Sequence, residues 1–428
     1  MCGLVLIGTV TILSAVNGVS GLGTVGRTHI LALFAGAAAF IFGWAFNYQI
    51  FEERWKILYG VVLLVLVLVV IPGIGSYQRG SRSWFVFPFF SLQPSEICRV
   101  GTILITAAFI DRYRKTLGEL PLLMALGVVW VTIAGLIMLQ PDFSSIVITM
   151  PALFLLLYCS GVNVFYVTAA VLYGLFAGTL PLVWTYLYMN ADAAENNFAL
   201  KFLLNSSDRA LYIIAFIAII FLVCFVLWLA FRELKIAAPL FIFLLAGAVM
   251  SAGFLTAVAV NHKIKNYQRK RIEVFLAPSS DPRGASYNVL QAQIAMGSGG
   301  VLGKGVFSPT QSRLGFVPEK HTDFVLAVVG EEFGLWGTLL VLGLYIVALW
   351  RIMLIAYNAS SSYGYLLCCG VFAMFFTYMT VNFGMLIGLA PVAGVPLPLI
   401  SYGGSNLVAS LWAFGLVQSV HARRISFK

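Results

Sequence analysis

Long apolar runs alternate with short polar segments along almost the whole chain. A helix needs about 20 apolar residues to cross a bilayer, and only helices and closed barrels pair all their backbone groups there. The runs are unbroken, so they predict an all-α polytopic integral membrane protein, a single transmembrane domain over residues 1–428. Twelve runs are predicted to span the membrane as helices: Gly3 to Val16, Ile30 to Phe46, Ile57 to Ile71, Ile97 to Ile110, Leu120 to Leu139, Ser144 to Cys159, Val164 to Leu187, Leu211 to Phe231, Ile236 to Val260, Phe324 to Trp350, Tyr363 to Ile387 and Leu399 to Val420.

Composition supports this prediction. Hydrophobic residues make up 61% of the chain and charged residues 10%, and the mean hydropathy is +0.96. A water-soluble protein of this size lacks the polar cover that its surface would need, so that class is excluded. The net charge of +10 is dispersed over loops. It argues against nucleic acid as a partner and suits the surface of anionic membrane lipids.

Lysine and arginine in the short loops predict the orientation. With the N-terminus inside, most short-loop cations lie in the cytoplasm, as the positive-inside rule prefers. The large loop over residues 261–322 then falls outside although it is basic, which suggests that its cations are kept for a ligand. The cations of this loop are Lys263, Lys265, Arg269, Lys270, Arg271, Arg283, Lys304, Arg313 and Lys320.

The stretch from Gln291 to Gly334 is the most polar part of this hydrophobic chain. Its glycines at 297–305 predict a loop. Polar and charged side chains then precede the apolar run at Phe324, so they are expected where a membrane helix meets water. These candidates for substrate binding and chemistry are Lys304, Gln311, Arg313, Lys320, His321 and Asp323. Taken alone, Asp323 is also a candidate helix N-cap.

Three further patches carry unusual polar residues. Glu96 and Arg99 lie three residues apart at the start of the fourth run, and Asp142 precedes the sixth. These charges either form internal ion pairs and caps or belong to a ligand site, and the residues alone leave both alternatives open. The prolines and glycines of Pro391 to Ser405 predict a broken segment enclosed by protein or water. At least one of the carboxylates Glu331 and Glu332 is expected to face a polar interior.

Nine short motifs together resemble the SEDS family of bacterial shape, elongation, division and sporulation proteins, and their details resemble its RodA-like branch. They are QPSE at 93–96, QPD at 140–142, DPRG at 281–284, GSGG at 297–300, GKG at 303–305, TQ at 310–311, PEKHTDF at 318–324, GEE at 330–332 and PLPLISYGG at 396–404. The resemblance implies a fold of ten spans. The chain has two more, so residues 164–231 are predicted to be an inserted helix pair.

The resemblance also implies an activity, the polymerisation of lipid II into peptidoglycan at the outer face of the bacterial inner membrane. Asp323 is then the catalytic residue, and Glu96 and Asp142 line the same polar cavity. The family usually has Lys where this chain has Arg99, which keeps the charge but changes its geometry. Pyrophosphate is expected to bind Lys304, Arg313, Lys320 and Arg99. No cofactor is predicted, and whether a divalent cation assists is left open.

Two other functions remain as alternatives. A lipid II flippase would also need many helices and broken segments, but its charges should line a path to both leaflets, whereas the charges here cluster towards the outer side. The alternative of a scaffold that only binds partners does not explain why charges cluster towards the outer side. The resemblance implies a class B penicillin-binding protein as partner. A stripe of small residues is a candidate docking surface for its membrane helix, and packing within the chain is the alternative. The stripe consists of Gly370, Ala373, Thr377 and Thr380.

Overall fold

The protein is described by a computed structural model. The structure describes residues 1–16, 22–78, 81–87, 91–140, 142–192, 196–236, 239–264, 266–277, 285–307, 322–392 and 394–424. The helices are α1 Cys2–Val16, α2 Leu22–Ala45, α3 Gln49–Glu53, α4 Trp55–Val70, α5 Pro94–Tyr113, α6 Glu119–Leu139, α7 Phe143–Cys159, α8 Val164–Met189, α9 Phe198–Asn205, α10 Ala210–Glu233, α11 Leu240–Lys263, α12 Asn266–Leu276, α13 Ala285–Ser298, α14 Val325–Tyr357, α15 Ser362–Leu386 and α16 Gly404–Ala422. A small antiparallel sheet comprises β1 Ser76–Gln78, β2 Ser81–Val86 and β3 Ser91–Leu92, in that order.

Each predicted span overlaps one of these helices. Within the described residues, seven helices are long and apolar enough to cross a membrane by length and composition, namely α2, α6, α8, α10, α11, α14 and α15. The apolar helices α1, α4 and α7 are shorter. The polytopic membrane fold is thus confirmed, while the number of crossings, twelve, stays a prediction.

Helix starts follow local chemistry. Pro94 occupies the first turn of α5, where its missing N–H costs no hydrogen bond. Asp142 caps α7 by accepting a hydrogen bond from the Ser145 N–H, and the Ser361 hydroxyl caps α15 in the same way by accepting from the Gly364 N–H. The N-cap residue of α14 is Phe324 and not Asp323, and the Phe324 side chain makes no cap hydrogen bond.

Sequence predictions about boundaries are wrong at two places beside the polar segments. Gly297 and Ser298 do not belong to the glycine loop, because they end α13, and the loop begins at Gly299. The last predicted span does not begin at Leu399, because α16 begins only at Gly404. Proline cannot donate to a helical ladder, so the proline-rich residues before Gly404 stay out of the helix.

The described residues among 391–403 precede α16 without forming an α-helix and lie within the protein. Leu397 and Ile400 are fully buried, and Leu399 has a left-handed φ of 67°. The backbone finds partners locally, since the Leu397 N–H donates to Ser401 Oγ at 2.7 Å and the Tyr345 hydroxyl donates to the Pro398 carbonyl. The prediction of a broken segment enclosed by protein is confirmed.

The chain folds as two compact units. The first comprises residues 1–160 and 287–428. Within it, α2 packs along α16, while α15 packs against α5, α7 and α14. The second comprises residues 161–286, in which α8 and α10 both pack against α11 around Trp184 and Phe254. Residues 164–231, the predicted insertion, lie in this second unit, and their status as an insertion stays a prediction.

The predicted docking stripe is wrong as an exposed surface. Gly370, Ala373 and Thr377 are buried, and only Thr380 is exposed. A Cβ added at Gly370 would lie 2.3 Å from Ile103 Cγ2 on α5. The stripe therefore packs closely against neighbouring helices of this chain. This is the alternative to docking a partner that the sequence left open.

Candidate functional site

A buried ion pair lies in the first turns of α5. Arg99 Nη1 donates to Glu96 Oε2 at 2.8 Å, and the two side chains are only 3% and 9% exposed. Two other helices complete the surroundings of the carboxylate. The Tyr378 hydroxyl of α15 donates to the same oxygen at 2.8 Å, and Asn406 Nδ2 of α16 donates at 3.0 Å. Since a buried charge costs much free energy unless it is paired, this full set of donors explains how Glu96 is tolerated.

Asp142 joins the same network at the start of α7. Its carboxylate accepts hydrogen bonds from Ser95 Oγ at 2.7 Å, Gln93 Nε2 at 2.9 Å and Ser145 Oγ at 2.6 Å. Ser145 also accepts from Arg99 Nη2 at 2.9 Å. One continuous chain of hydrogen bonds thus runs from Asp142 through Ser145 and Arg99 to Glu96.

Helix α15 connects this network with Asp323. Tyr378 contacts Glu96, and Asn382, one turn further along α15, donates to the Asp323 carbonyl at 3.2 Å and to the Val395 carbonyl at 2.8 Å. Residues four apart on a helix have Cβ atoms about 5–6 Å apart. Asp323, which is half-buried, therefore lies beside the network formed by Glu96, Arg99 and Asp142.

Helix ends favour negative charge at this site. Helices α5, α7 and α16 begin within the network, and α14 begins two residues after Asp323, while α6 and α15 end nearby. Each helix N-terminus carries roughly half a positive charge, which stabilises carboxylates and binds anions such as phosphates. The half-buried Asp323 carboxylate thus lies beside the buried network of Glu96, Arg99 and Asp142, which we call the polar wall. More helix N-termini than C-termini lie at this site.

A second polar cluster lies further along α14. Glu331 and Glu332 are both buried, and each contacts a polar side chain of the interior, as expected for at least one of them. Lys304 Nζ lies 3.3 Å from Glu331 Oε1 and donates to Ser298 Oγ at 2.7 Å. The Ser14 hydroxyl of α1 donates to Glu332. Of the cations that the sequence predicts for pyrophosphate, Lys304 is thus engaged by a carboxylate of its own chain, and so is Arg99.

The other predicted site residues, Gln311, Arg313, Lys320 and His321, lie outside the described residues. Sequence reasoning missed Ser145, Tyr378, Asn382 and Asn406. Each of them is a polar residue within or beside an apolar run. Many residues without a functional role share that feature, so it does not single these four out. Among the residues that the structure describes, no group of three or more His, Cys, Asp or Glu is arranged to hold a metal ion.

Fold and site together define a polytopic helical membrane protein that holds buried charges in its larger unit. The model of the family described as "Cell cycle protein", covering FtsW, RodA and SpoVE, matches residues 1–195 and 205–425. The chain belongs to this family. The resemblance to SEDS proteins drawn from the motifs is confirmed.

Relatives and solved structures agree. Peptidoglycan glycosyltransferase MrdB of Escherichia coli (strain K12) is 32% identical over 370 residues, 86% of this chain and 78% of the relative. Peptidoglycan glycosyltransferase RodA of Treponema pallidum is 28% identical over 394 residues, 89% of this chain and 86% of the relative. These names support the RodA-like branch.

Two solved structures share the fold. A crystal structure of the rod shape determining protein RodA of Thermus thermophilus matches with a TM-score of 0.59 and 22% identity, covering 99% of this chain and 95% of that one. A chain from a peptidoglycan synthase complex that coordinates polymerization and crosslinking matches with a TM-score of 0.62 and 24% identity, covering 99% and 98%. At these identities the likeness concerns the fold.

Proposed function

We propose that this protein is a peptidoglycan glycosyltransferase that polymerises lipid II into glycan strands for cell elongation and shape. The observation that carries the proposal is the family match over nearly the whole chain, with curated relatives named for this activity at about 30% identity. The geometry adds a half-buried Asp323 beside a polar wall at a surplus of positive helix ends. The flippase alternative is not favoured, because the relatives are named as transferases.

In the proposed reaction, Asp323 is the general base. Its carboxylate takes the proton from the 4-hydroxyl of the acceptor sugar while the hydroxyl oxygen attacks the anomeric carbon of the donor. The bond between that carbon and the phosphate oxygen breaks, and undecaprenyl pyrophosphate leaves with the bonding electron pair. Displacement in one step inverts the anomeric carbon. The half-buried position of Asp323 suits this role, since a base must reach substrate while water is limited.

The polar wall positions this base. Asn382 holds the backbone of Asp323, and Tyr378 on the same helix is held by Glu96, so the ion pair with Arg99 supports the site from behind. Glu96, Arg99 and Asp142 are proposed to shape the cavity for the sugar and phosphate groups. Gln311, Arg313, Lys320 and His321 remain proposed substrate ligands on the strength of the sequence alone.

Location and partner complete the proposal. The protein is a multi-pass membrane protein, and the lysine and arginine distribution supports the bacterial inner membrane with the site facing outwards. A class B penicillin-binding protein, which would crosslink the new glycan, is the proposed partner. The fold shared with a chain of a peptidoglycan synthase complex supports this pairing.

The test uses the purified full chain with labelled lipid II. We expect the wild-type protein to form glycan ladders, and Asp323→Ala and Asp323→Asn to form none, because both variants lose the base. Asp208→Asn in the second unit is the matched control and should polymerise normally. Ladders from Asp323→Ala would contradict the role of Asp323, and their absence from the wild type, alone and with its partner, would contradict the activity.

A further inference from the structure

The helical ladder of α14 is interrupted at Gly334, whose φ of 67° and ψ of −158° are not helical. In an unbroken helix the N–H of residue 335 would pair with the carbonyl of residue 331. Here the Leu335 N–H donates to the Gly300 carbonyl at 3.0 Å, and the Trp336 N–H points to the Val301 carbonyl at 3.5 Å. The backbone N–H groups after the break therefore donate to carbonyls of the glycine loop, residues 299–307.

The same loop serves the carbonyls before the break. The Lys304 N–H donates to the Glu331 carbonyl and the Gly305 N–H to the Glu332 carbonyl, both at 3.0 Å. An unsatisfied backbone group costs several kcal/mol in a membrane interior, so a break there needs such partners. The glycine loop is thus inserted into the ladder of α14 and bridges its two parts.

This insertion requires glycine. A Cβ added at Gly299 would lie 2.0 Å from the Gly330 carbonyl oxygen, and one at Gly303 would lie 2.2 Å from the Glu332 carbonyl oxygen. A Cβ at Gly334 would lie 2.4 Å from the Gly303 nitrogen. Backbone therefore lies directly on backbone, and the motifs at 297–300, 303–305 and 330–332 pack against one another.

One side-chain cluster locks the insertion. The Lys304 ammonium contacts Glu331 Oε1 at 3.3 Å and Ser298 Oγ at 2.7 Å, so it ties the loop to α14 and to the end of α13. Glu331 is fully buried, while the Lys304 side chain is 27% exposed. A buried carboxylate demands a cationic or hydrogen-bonding partner, so loss of the Lys304 ammonium would leave Glu331 without its cation and would favour movement of the loop.

The break also sets the direction of the helix segment that follows Asp323. The first part of α14, Val325 to Phe333, begins two residues after Asp323 and ends at the break. Any change of angle at Gly334 swings this part over roughly 14 Å of helix, at about 1.5 Å per residue. Holding the break rigid therefore holds the proposed base in place.

We propose that Lys304 and Glu331 form a positioning clasp for Asp323, in which the ion pair seats the glycine loop in the break of α14. This inference rests on the proposed function for its catalytic consequence. It differs from the sequence prediction for Lys304, because the ammonium serves the clasp and does not bind the pyrophosphate. Lys304 and Glu331 are positioning residues in this proposal.

The first experiment measures amide hydrogen exchange of the purified full chain in peptides over 299–307 and 330–337. We expect Lys304→Met and Glu331→Gln each to speed exchange in both peptides by about tenfold or more, since they loosen one cooperative unit. Lys304→Arg keeps the charge and should retain the protection. Lys201→Met and Glu233→Gln, exposed in the second unit, are matched controls and should leave both peptides unchanged.

The second experiment measures the kinetics of lipid II polymerisation. A loosened clasp should lower kcat by roughly tenfold or more with little change of KM, because a misplacement of about 1 Å costs up to about 100-fold in rate. The double variant Lys304→Met/Glu331→Gln should be no slower than the worse single variant, since both act through one contact. If Glu331→Gln fails to fold, Lys304→Met carries the same expectation on a partly exposed side chain.

Opposite results overturn the clasp. Unchanged exchange in both single variants would show that the ion pair does not hold the loop. A raised KM in Lys304→Met, with Glu331→Gln as active as wild type, would return Lys304 to phosphate binding. If the wild-type protein does not polymerise lipid II, the proposed function fails while the exchange experiment still decides whether the clasp exists.

Discussion

The two compact units of this protein differ in whether they bury charged side chains. The first unit buries Glu96, Arg99, Glu331 and Glu332, and each of them has a partner. Among the described residues of the second unit, no charged side chain is buried, and its core consists of Trp184, Phe254 and smaller apolar residues. Buried charge is costly in a membrane protein and marks function by default. By this criterion the buried charges of the first unit are the candidates for function.

The largest effect is expected at Arg99. Arg99→Ala leaves Glu96 buried without its cation, which should lower the free energy of unfolding by about 4 kcal/mol and remove most of the polymerase activity. Arg99→Lys should retain part of both, because an ammonium reaches Glu96 but cannot also reach Ser145 as the fork does. Thermal unfolding in detergent and glycan synthesis measure the two effects. Equal stability of the wild type, Arg99→Ala and Arg99→Lys would contradict the view that buried charges distinguish the first unit from the second.

Trp184→Ala tests the other side of the comparison. Trp184 is fully buried, and its indole N–H donates to the Leu203 carbonyl at 2.9 Å. The cavity should lower the free energy of unfolding by about 3 kcal/mol. Activity per folded molecule, measured below the unfolding transition, should match wild type. A loss of kcat in the folded variant would show that the second unit takes part in the reaction.

Tyr378→Phe removes one hydroxyl from the polar wall without creating a cavity. Glu96 loses a donor and Asn406 an acceptor, so the free energy of unfolding should fall by about 1.5 kcal/mol. The matched variant in the second unit is Tyr173→Phe, whose hydroxyl bonds only Thr256. We expect about 0.5 kcal/mol there, since a neutral hydrogen bond between membrane helices contributes little. Equal losses in urea or thermal unfolding would argue against a special role of the network.

The smallest effect concerns pH. Burial, followed by the neighbouring Asp111 carboxylate, raises the pKa of Glu52 in the α2–α4 connection to about 7, from an ordinary value of 4.5. The folded state thus binds this proton more tightly than the unfolded chain, so the stabilisation is complete below pH 4.5 and is lost as pH rises through 7. The drop in Tm between pH 5.5 and 8 should be smaller in Glu52→Gln than in wild type. An identical drop would contradict the raised pKa.

Sequence reasoning succeeded where local chemistry decides the outcome. Long apolar runs form helices in a bilayer whatever their neighbours, and the prolines before Ser405 exclude a helix on their own. It erred where packing decides. Gly297 and Ser298 continue α13, and the stripe at Gly370 is buried because α5 packs closely against it. Neither result follows from residue type.

The sequence by itself determined the membrane class, the family through its motifs, and the charges worth attention, because hydropathy and short motifs are properties of adjacent residues. Only the tertiary structure decided which charges meet. Arg99 is used by Glu96 and Ser145, and Lys304 is used by Glu331, although both cations looked equally suited to pyrophosphate. The Arg99–Ser145 and Lys304–Glu331 contacts join segments distant in sequence, whereas Glu96 lies one turn from Arg99 on the same helix. A buried charge is satisfied by whatever partner the packing brings within about 3 Å.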